Sequence, residues 1–195
     1  MNFNDEIALF LKARYPILYI TTIEEDRVEY VIRKNVKKNL NRTIYTWDFV
    51  DGYQGNPTDA GVGKRNPLQA LEQIEKVAKG AVFILRDFDR FLDDVAIARK
   101  LRNLARRLKG EPQNIIVLAS QINIPDHLSE VITILEFPLP EAVEIRQEIQ
   151  QISRDISKDA GGQIEASAIE DLVRSSQGLS LDRVRRVLAK AIAEN

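Results

Sequence analysis

The chain has 195 residues, with 28 basic and 29 acidic side chains, a formal charge of -1 and 44% apolar residues. It has no cysteine and one histidine, His127, which excludes disulfides, thiolate zinc sites, iron–sulfur clusters, cysteine nucleophiles and multi-histidine metal sites. A near-neutral charge predicts no bulk footprint for nucleic acid. No apolar run approaches ~18 residues, and the start is acidic at Asp5 and Glu6, so the expectation is a soluble intracellular protein with no signal peptide and no membrane insertion.

Asn4 to Ala13 predicts a short helix, capped by Asn4, with Ile7, Phe10 and Leu11 on one face and Pro16 as its stop. Ile17 to Thr21 is an apolar, β-branched run suited to a strand covered on both faces. Glu24 to Leu40 predicts a helix with Val28, Val31, Ile32 and Val36 inward. Thr43 to Phe49 predicts a second strand, nearer an edge because its pattern alternates less cleanly, and Asp51 to Arg65 a Gly-rich loop. Asn66-Pro67 starts a helix, Asn as cap and Pro at its first position, running to Gly80. Further strands are expected at Ala81–Leu85, Asn114–Ala119 and Ile132–Phe137, with a helix from Asp94 to Leu108 between the first two.

After Pro138-Leu139-Pro140 the strand pattern ends. Ile145, Ile149, Ile152 and Ile156 form one helical stripe. Ser167 and Glu170 predict a capping box, and Leu181, Val184, Leu188 and Ala191 stripe a last helix starting from Ser180. Residues 1–139 therefore predict an α/β domain with a five-stranded parallel sheet flanked by helices, and residues 140–195 a small helical domain. No repeat or low-complexity tract is present.

This order of elements resembles an AAA ATPase core followed by its lid. The likeness is sharpest at Ala81 to Asp89 (AVFILRDFD), similar to the strand and acidic end of that family's magnesium-and-water site. It is equally clear at Ile115 to Pro140, similar to its fourth strand, sensor loop and fifth strand. Over nearly its whole length the chain resembles the N-terminal half of the cyanobacterial and algal-plastid AAA proteins, the conserved chloroplast open-reading-frame family. In that family a degenerate AAA-like domain precedes an intact one. The resemblance implies cyanobacterial cytoplasm or plastid stroma. The helical pattern still running at Ala193 to Asn195 suggests a longer parent chain.

A phosphate loop needs successive backbone amides and a lysine directly after the first strand, with a hydroxyl for magnesium. Here Thr22-Ile23-Glu24-Glu25-Asp26 follows, without glycine or lysine. Carboxylates facing a triphosphate cost on the order of kcal/mol per close pair. Gly61-Val62-Gly63-Lys64-Arg65 is a loose imitation of the motif, with Thr58 where a glycine and Arg65 where a hydroxyl are required. It reads as a surface loop. The resemblance places Arg86 at the magnesium-linked aspartate, Asp87 at the water-activating glutamate and Asp89 at the next aspartate. Arg86 is expected to pair with Glu24, Glu25 or Asp26; helix capping or surface charge is the plain account of Asp87 and Asp89. The sensor asparagine matches Asn123, with Gln121 as rival, and both also suit simple loop hydrogen bonding. An arginine finger has no match in Ser129-Glu130-Val131, and Arg183 is an insecure match to the lid arginine.

Arg99, Arg102, Arg106 and Lys109 step along one helix face. A solvated face, an acidic protein partner and a nucleic-acid backbone are the candidate readings, the last weakened by the missing aromatic platform. Tyr53, between Gly52 and Gly55, resembles a substrate-gripping pore-loop aromatic; packing on the domain surface is the alternative. His127 carries no catalytic expectation. The sequence thus predicts a non-hydrolysing interaction or regulatory domain, without its own cofactor, docking to an active AAA domain of the same or a neighbouring chain that holds ATP and magnesium. The alternatives are a nucleotide-responsive switch or weak ATPase using Lys64 or a partner's residues, and a nucleic-acid-binding module using the basic helix.

Overall fold

The computed structural model describes residues 2–55, 58–77, 80–160 and 165–193. The chain divides into two units, Met1–Phe137 and Pro138–Asn195.

In the first unit, α1 (Phe3–Lys12) is capped by Asn2, whose side chain accepts from the Asp5 amide at 2.9 Å. The expected cap, Asn4, lies inside the helix instead. Capping two residues earlier buries Phe3 with Ile7 and Leu11, each buried side chain stabilising by about 1.5–3 kcal/mol. β1 (Ile17–Thr21) leads into α2 (Glu25–Asn39), followed by β2 (Thr43–Asp48) and β3 (Gly52–Gln54). α3 (Pro67–Lys76) starts at the Asn66 cap as expected but ends before Gly80, with Val77 already extended. β4 (Ala81–Arg86), α4 (Val95–Leu108), β5 (Gln113–Ala119) and β6 (Thr133–Glu136) complete the unit.

The sheet order is β3-β2-β4-β5-β1-β6. Neighbours are parallel except β2 and β3, which are antiparallel. The five expected strands are all present and parallel, and among the described residues β3 adds a sixth, antiparallel, at the edge. The added strand comes from the segment read as loop. It forms because Gly52 adopts φ +72, turning the chain back on β2, where Tyr53 pairs with Trp47. A Cβ on Gly52 would stand 2.7 Å from the Val62 carbonyl oxygen, so glycine is required there.

Both sheet faces are covered, which explains the continuous apolar strands. Leu18, Ile20, Val82, Ile84, Ile116 and Leu118 pack beneath α1 and α2. Tyr19, Tyr45, Trp47, Phe83, Leu85 and Val117 pack beneath α3 and α4.

The second unit contains α5 (Ala142–Ala160), α6 (Ala166–Ser176) and α7 (Leu181–Ala193) around Ile145, Ile149, Val173, Val184 and Leu188. Ile152 packs at the edge of this cluster; the side chain of Ile156 lies outside the described residues. The expected capping box is absent. Glu165 is the cap residue of α6, without a side-chain cap bond, and Ser167 lies within the helix. Glu170 instead receives two hydrogen bonds from Arg146, each 2.8 Å. This fork links α5 to α6, a better use of the carboxylate than one amide. Among the described residues no helix is long and apolar enough to cross a membrane.

Candidate functional site

In open α/β sheets ligands bind beyond the carboxyl ends of the strands, where successive connections leave for opposite faces. Here α2 follows β1 onto one face, while α3 and α4 follow β2 and β4 onto the other. The crevice so defined lies at Thr21 and Arg86.

The turn after β1 holds three residues, Thr22, Ile23 and Glu24. The Thr22 amide donates to the Ala119 carbonyl at 2.8 Å, and the Glu24 amide to Thr22 Oγ1 at 2.9 Å. Two of the three amides are therefore engaged within the fold. Such a turn does not fit a triphosphate with magnesium, which needs a longer run of outward amides and a lysine.

Arg86 closes the crevice. Its Nε donates to Glu29 Oε1 at 2.6 Å and lies 3.8 Å from Glu25 Oε2. Hydrogen bonding to Glu29, reinforced by the charges of Glu29 and Glu25, outweighs burial and raises its pKa. Glu29 is only 5% exposed and also receives Arg33 Nη2 at 3.2 Å. Arg33 in turn donates to Thr46 Oγ1 at 2.8 Å. The chain Thr46–Arg33–Glu29–Arg86–Glu25 fastens α2 across β2 and β4.

The three carboxylates named as alternative partners of Arg86 have different surroundings. Glu25 joins Arg86. Glu24 is buried and pairs with Arg27 at 2.8 Å, whose guanidinium lies 4.4 Å above the Phe137 ring. Asp26 is exposed on α2. Of the three alternatives, Glu25 is the one that meets Arg86; Glu29, one turn beyond Glu25 and not among them, is the principal partner. Its signal in the sequence is the four-residue spacing Glu25, Glu29, Arg33, which shares a helix face. Burial raises the Glu25 pKa, with Asp87, Glu29 and Asp26 adding to it and Arg86 opposing.

Beyond β4, Asp87 is exposed with φ +51 and no side-chain cap bond. Asp89 points inward at 2% exposure, and its Oδ1 has no hydrogen-bond partner. Burial raises its pKa; Arg90 and nearby amides oppose the shift and Asp87 adds to it. Asn123 Nδ2 donates to the Asp89 carbonyl at 3.4 Å, and the Asn123 amide to the Tyr19 hydroxyl at 3.2 Å. Tyr19 donates onward to the Gln121 carbonyl at 2.6 Å. Burial raises the Tyr19 pKa. Asn123, Gln121 and Asp89 thus meet around a buried tyrosine on β1 that sequence reasoning did not single out. No group of three or more carboxylates or histidines suited to a metal occurs among the described residues.

Three further residues lie elsewhere. Tyr53 is 1% exposed and donates to the Ala70 carbonyl at 2.8 Å, so the expected presented pore-loop aromatic is corrected to a core residue. Lys64 is exposed in the loop held on Trp47, whose Nε1 donates to the Gly63 carbonyl at 3.0 Å. That loop borders β2, three strands from β1, about 14 Å away at ~4.8 Å per strand. His127 is exposed in a short turn, Asp126–Leu128.

A family model described as SpoVK-like AAA ATPase, N-terminal domain, matches residues 3–137. The chain belongs to this family. The family's second-domain model matches residues 143–195. The chain is 55% identical over 195 residues to an uncharacterized AAA domain-containing protein ycf46 of Trieres chinensis, and 48% identical to that of Guillardia theta. Each match covers 99% of this chain and 38% of the relative, so the chain spans about two-fifths of those proteins' length. Among solved structures, the FIGL-1 AAA domain in complex with ADP aligns with TM-score 0.64 at 13% identity, over 93% of this chain and 65% of that one. A point variant of Thermotoga maritima RuvB aligns with TM-score 0.57 at 14% identity, over 93% and 58% respectively. These likenesses establish the AAA-type α/β fold.

Proposed function

We propose that this chain is a non-hydrolysing AAA-like domain that works as an interaction or regulatory module, docking to an active AAA domain of the same or a neighbouring chain. The observation that carries this reading is the three-residue turn Thr22–Glu24, facing Arg86 locked on Glu29 at 2.6 Å. Phosphoryl-transfer catalysis rests on positioned amides, a lysine, a metal-binding acid and a base. At the crevice these positions hold carboxylates and an internally paired guanidinium. Lys64, across the sheet, does not reach them. The relatives, more than twice as long as this chain, have room for a companion domain holding ATP and magnesium. Cyanobacterial cytoplasm or plastid stroma is the compartment this reading implies.

Titration calorimetry with ATP and magnesium up to millimolar concentration tests it. No saturable heat is expected from the chain. Tight, saturable binding defeats the reading.

A further inference from the structure

The two edges of the sheet end differently. At β3 the Tyr53 amide donates to the Val62 carbonyl and the Gly61 amide to the Tyr53 carbonyl, each at 2.9 Å, so a loop covers that edge. At β6 the bonding runs inward only. The Phe137 amide donates to the Thr21 carbonyl at 3.1 Å, in a register that sets Tyr19 beside Ile134 and Thr21 beside Glu136. Successive residues of a strand bond to opposite sides, so Thr133, Leu135 and Phe137 serve β1. The amides and carbonyls of Ile134 and Glu136 point away from the sheet. Among the described residues no group bonds to them.

Natural sheets blunt an open edge with charges, proline, a bulge, a covering loop or shortness. β6 has four residues and one charge, without proline or bulge. Its two outward residues differ in chemistry. Ile134 is 47% exposed. Glu136, two residues on and so on the same sheet face, is exposed and has no cation partner among the described residues. A second copy does not suit this edge. The strand holds no cation, so pairing β6 with itself about a two-fold axis sets Glu136 against an apolar residue or another glutamate. Four paired residues also fall far short of the about 1,200 Å² that a stable interface buries. Edge-to-edge stacking of whole sheets fails because the β3 edge is closed.

We infer that the open edge of β6 receives an extended segment of a partner protein, which adds to the sheet as a further strand with an apolar residue beside Ile134 and a lysine or arginine beside Glu136. The outward amides and carbonyls supply the attachment, and the two side chains supply the choice of sequence. A cation opposite Glu136 gives that carboxylate the cross-strand partner of opposite charge that the chain itself does not provide. The site stands on the sheet edge and goes beyond the reading of the crevice.

Amide hydrogen exchange read by NMR tests it on the 195-residue chain. In the free chain, Ile134 and Glu136 are expected to exchange at least about tenfold faster than Leu135 and Phe137. The probe is the blocked peptide Thr-Lys-Thr-Val-Thr-Lys-Thr, whose lysines flank the valine at strand spacing in both directions. At millimolar concentration it is expected to slow Ile134 and Glu136 saturably. N-methylation separates edge pairing from loose adhesion. Methyl groups on the valine and lysines, or else on the threonines, abolish the protection, and the other set leaves it intact. Glu136→Lys is expected to weaken the lysine peptide about fivefold and to favour one with glutamates in their place. Glu136 is exposed, and an unchanged melting curve verifies folding. No added protection at millimolar peptide overturns the inference. So does equal tolerance of both methylated sets, or slow exchange of Ile134 and Glu136 in the dilute free chain. Protection that rises with protein concentration alone assigns the edge to a second copy and overturns it too. Nucleotide binding at the crevice would defeat the proposed function and leave this edge standing; silent calorimetry with peptide failure would defeat this inference alone.

Discussion

The crevice at Arg86 and the outer face of α4 carry charges of the same kind and use them oppositely. In the crevice, Arg86, Arg33, Glu29 and Glu25 are engaged with one another and with Thr46. Along α4 the outer arginines are left without acids among the described residues. A cation that satisfies a buried carboxylate holds the fold together and offers little to a visitor. A cation with no internal partner costs the fold little and leaves its attraction available outside. The contrast separates charges that hold the fold together from charges that the fold leaves without an acid, within a single sheet domain.

The largest expected effect tests the crevice side of that contrast. Arg86→Ala leaves Glu29 buried with Arg33 as its remaining cation and is expected to cost about 2–3 kcal/mol, below the full penalty for breaking a buried pair because Arg86 is a quarter exposed. Chemical denaturation measures it. A loss under ~0.5 kcal/mol, the level of an ordinary surface change, would erase the distinction between the two regions.

Asp89→Asn sharpens it from the other direction. The buried carboxylate lacks a partner at Oδ1, so the neutral amide is expected to raise stability by about 1 kcal/mol at pH 7. Because the folded pKa is raised above the ordinary 3.8, the folded state holds more protons between 3.8 and the raised value. Stability from this group is therefore full below 3.8 and is lost as pH rises through the folded pKa. The Asn variant flattens that part of the pH–stability curve, and an unaltered slope counts against the assignment.

The smallest effect belongs to α4. Neutralising Arg99, Arg102 and Arg106 together is expected to change stability by less than ~0.5 kcal/mol, since no internal pair is lost. A larger loss in the denaturation midpoint would show that these side chains hold the domain together after all.

Much of the architecture is legible in local pattern. Ile17 to Thr21 and Ala81 to Leu85 announce buried strands because strands covered on both faces have no polar alternation. Asn66-Pro67 marks a helix start because the cap and the fixed proline φ act on their own few residues. The stripe on α4 follows from helical periodicity alone. Expectations that depend on distant partners go astray. The Ser167–Glu170 box has the right spacing, but Glu170 finds a two-bond fork from Arg146 on another helix. Gly52 to Gln54 reads as loop because its strand character depends on a positive φ and on Trp47 and Val62 as neighbours.

What the residues by themselves determined is the missing phosphate loop: with no glycine or lysine from Thr22 to Asp26, no folding of the chain can supply one there. What only the tertiary structure decided is which acid meets Arg86. Glu25 and Glu29 project from adjacent turns of one helix face, and the choice between them rests on how far along its axis α2 sits over β4. That offset is set by apolar packing of Val28, Ile32 and Val36 against the sheet, an interaction between segments remote in the chain.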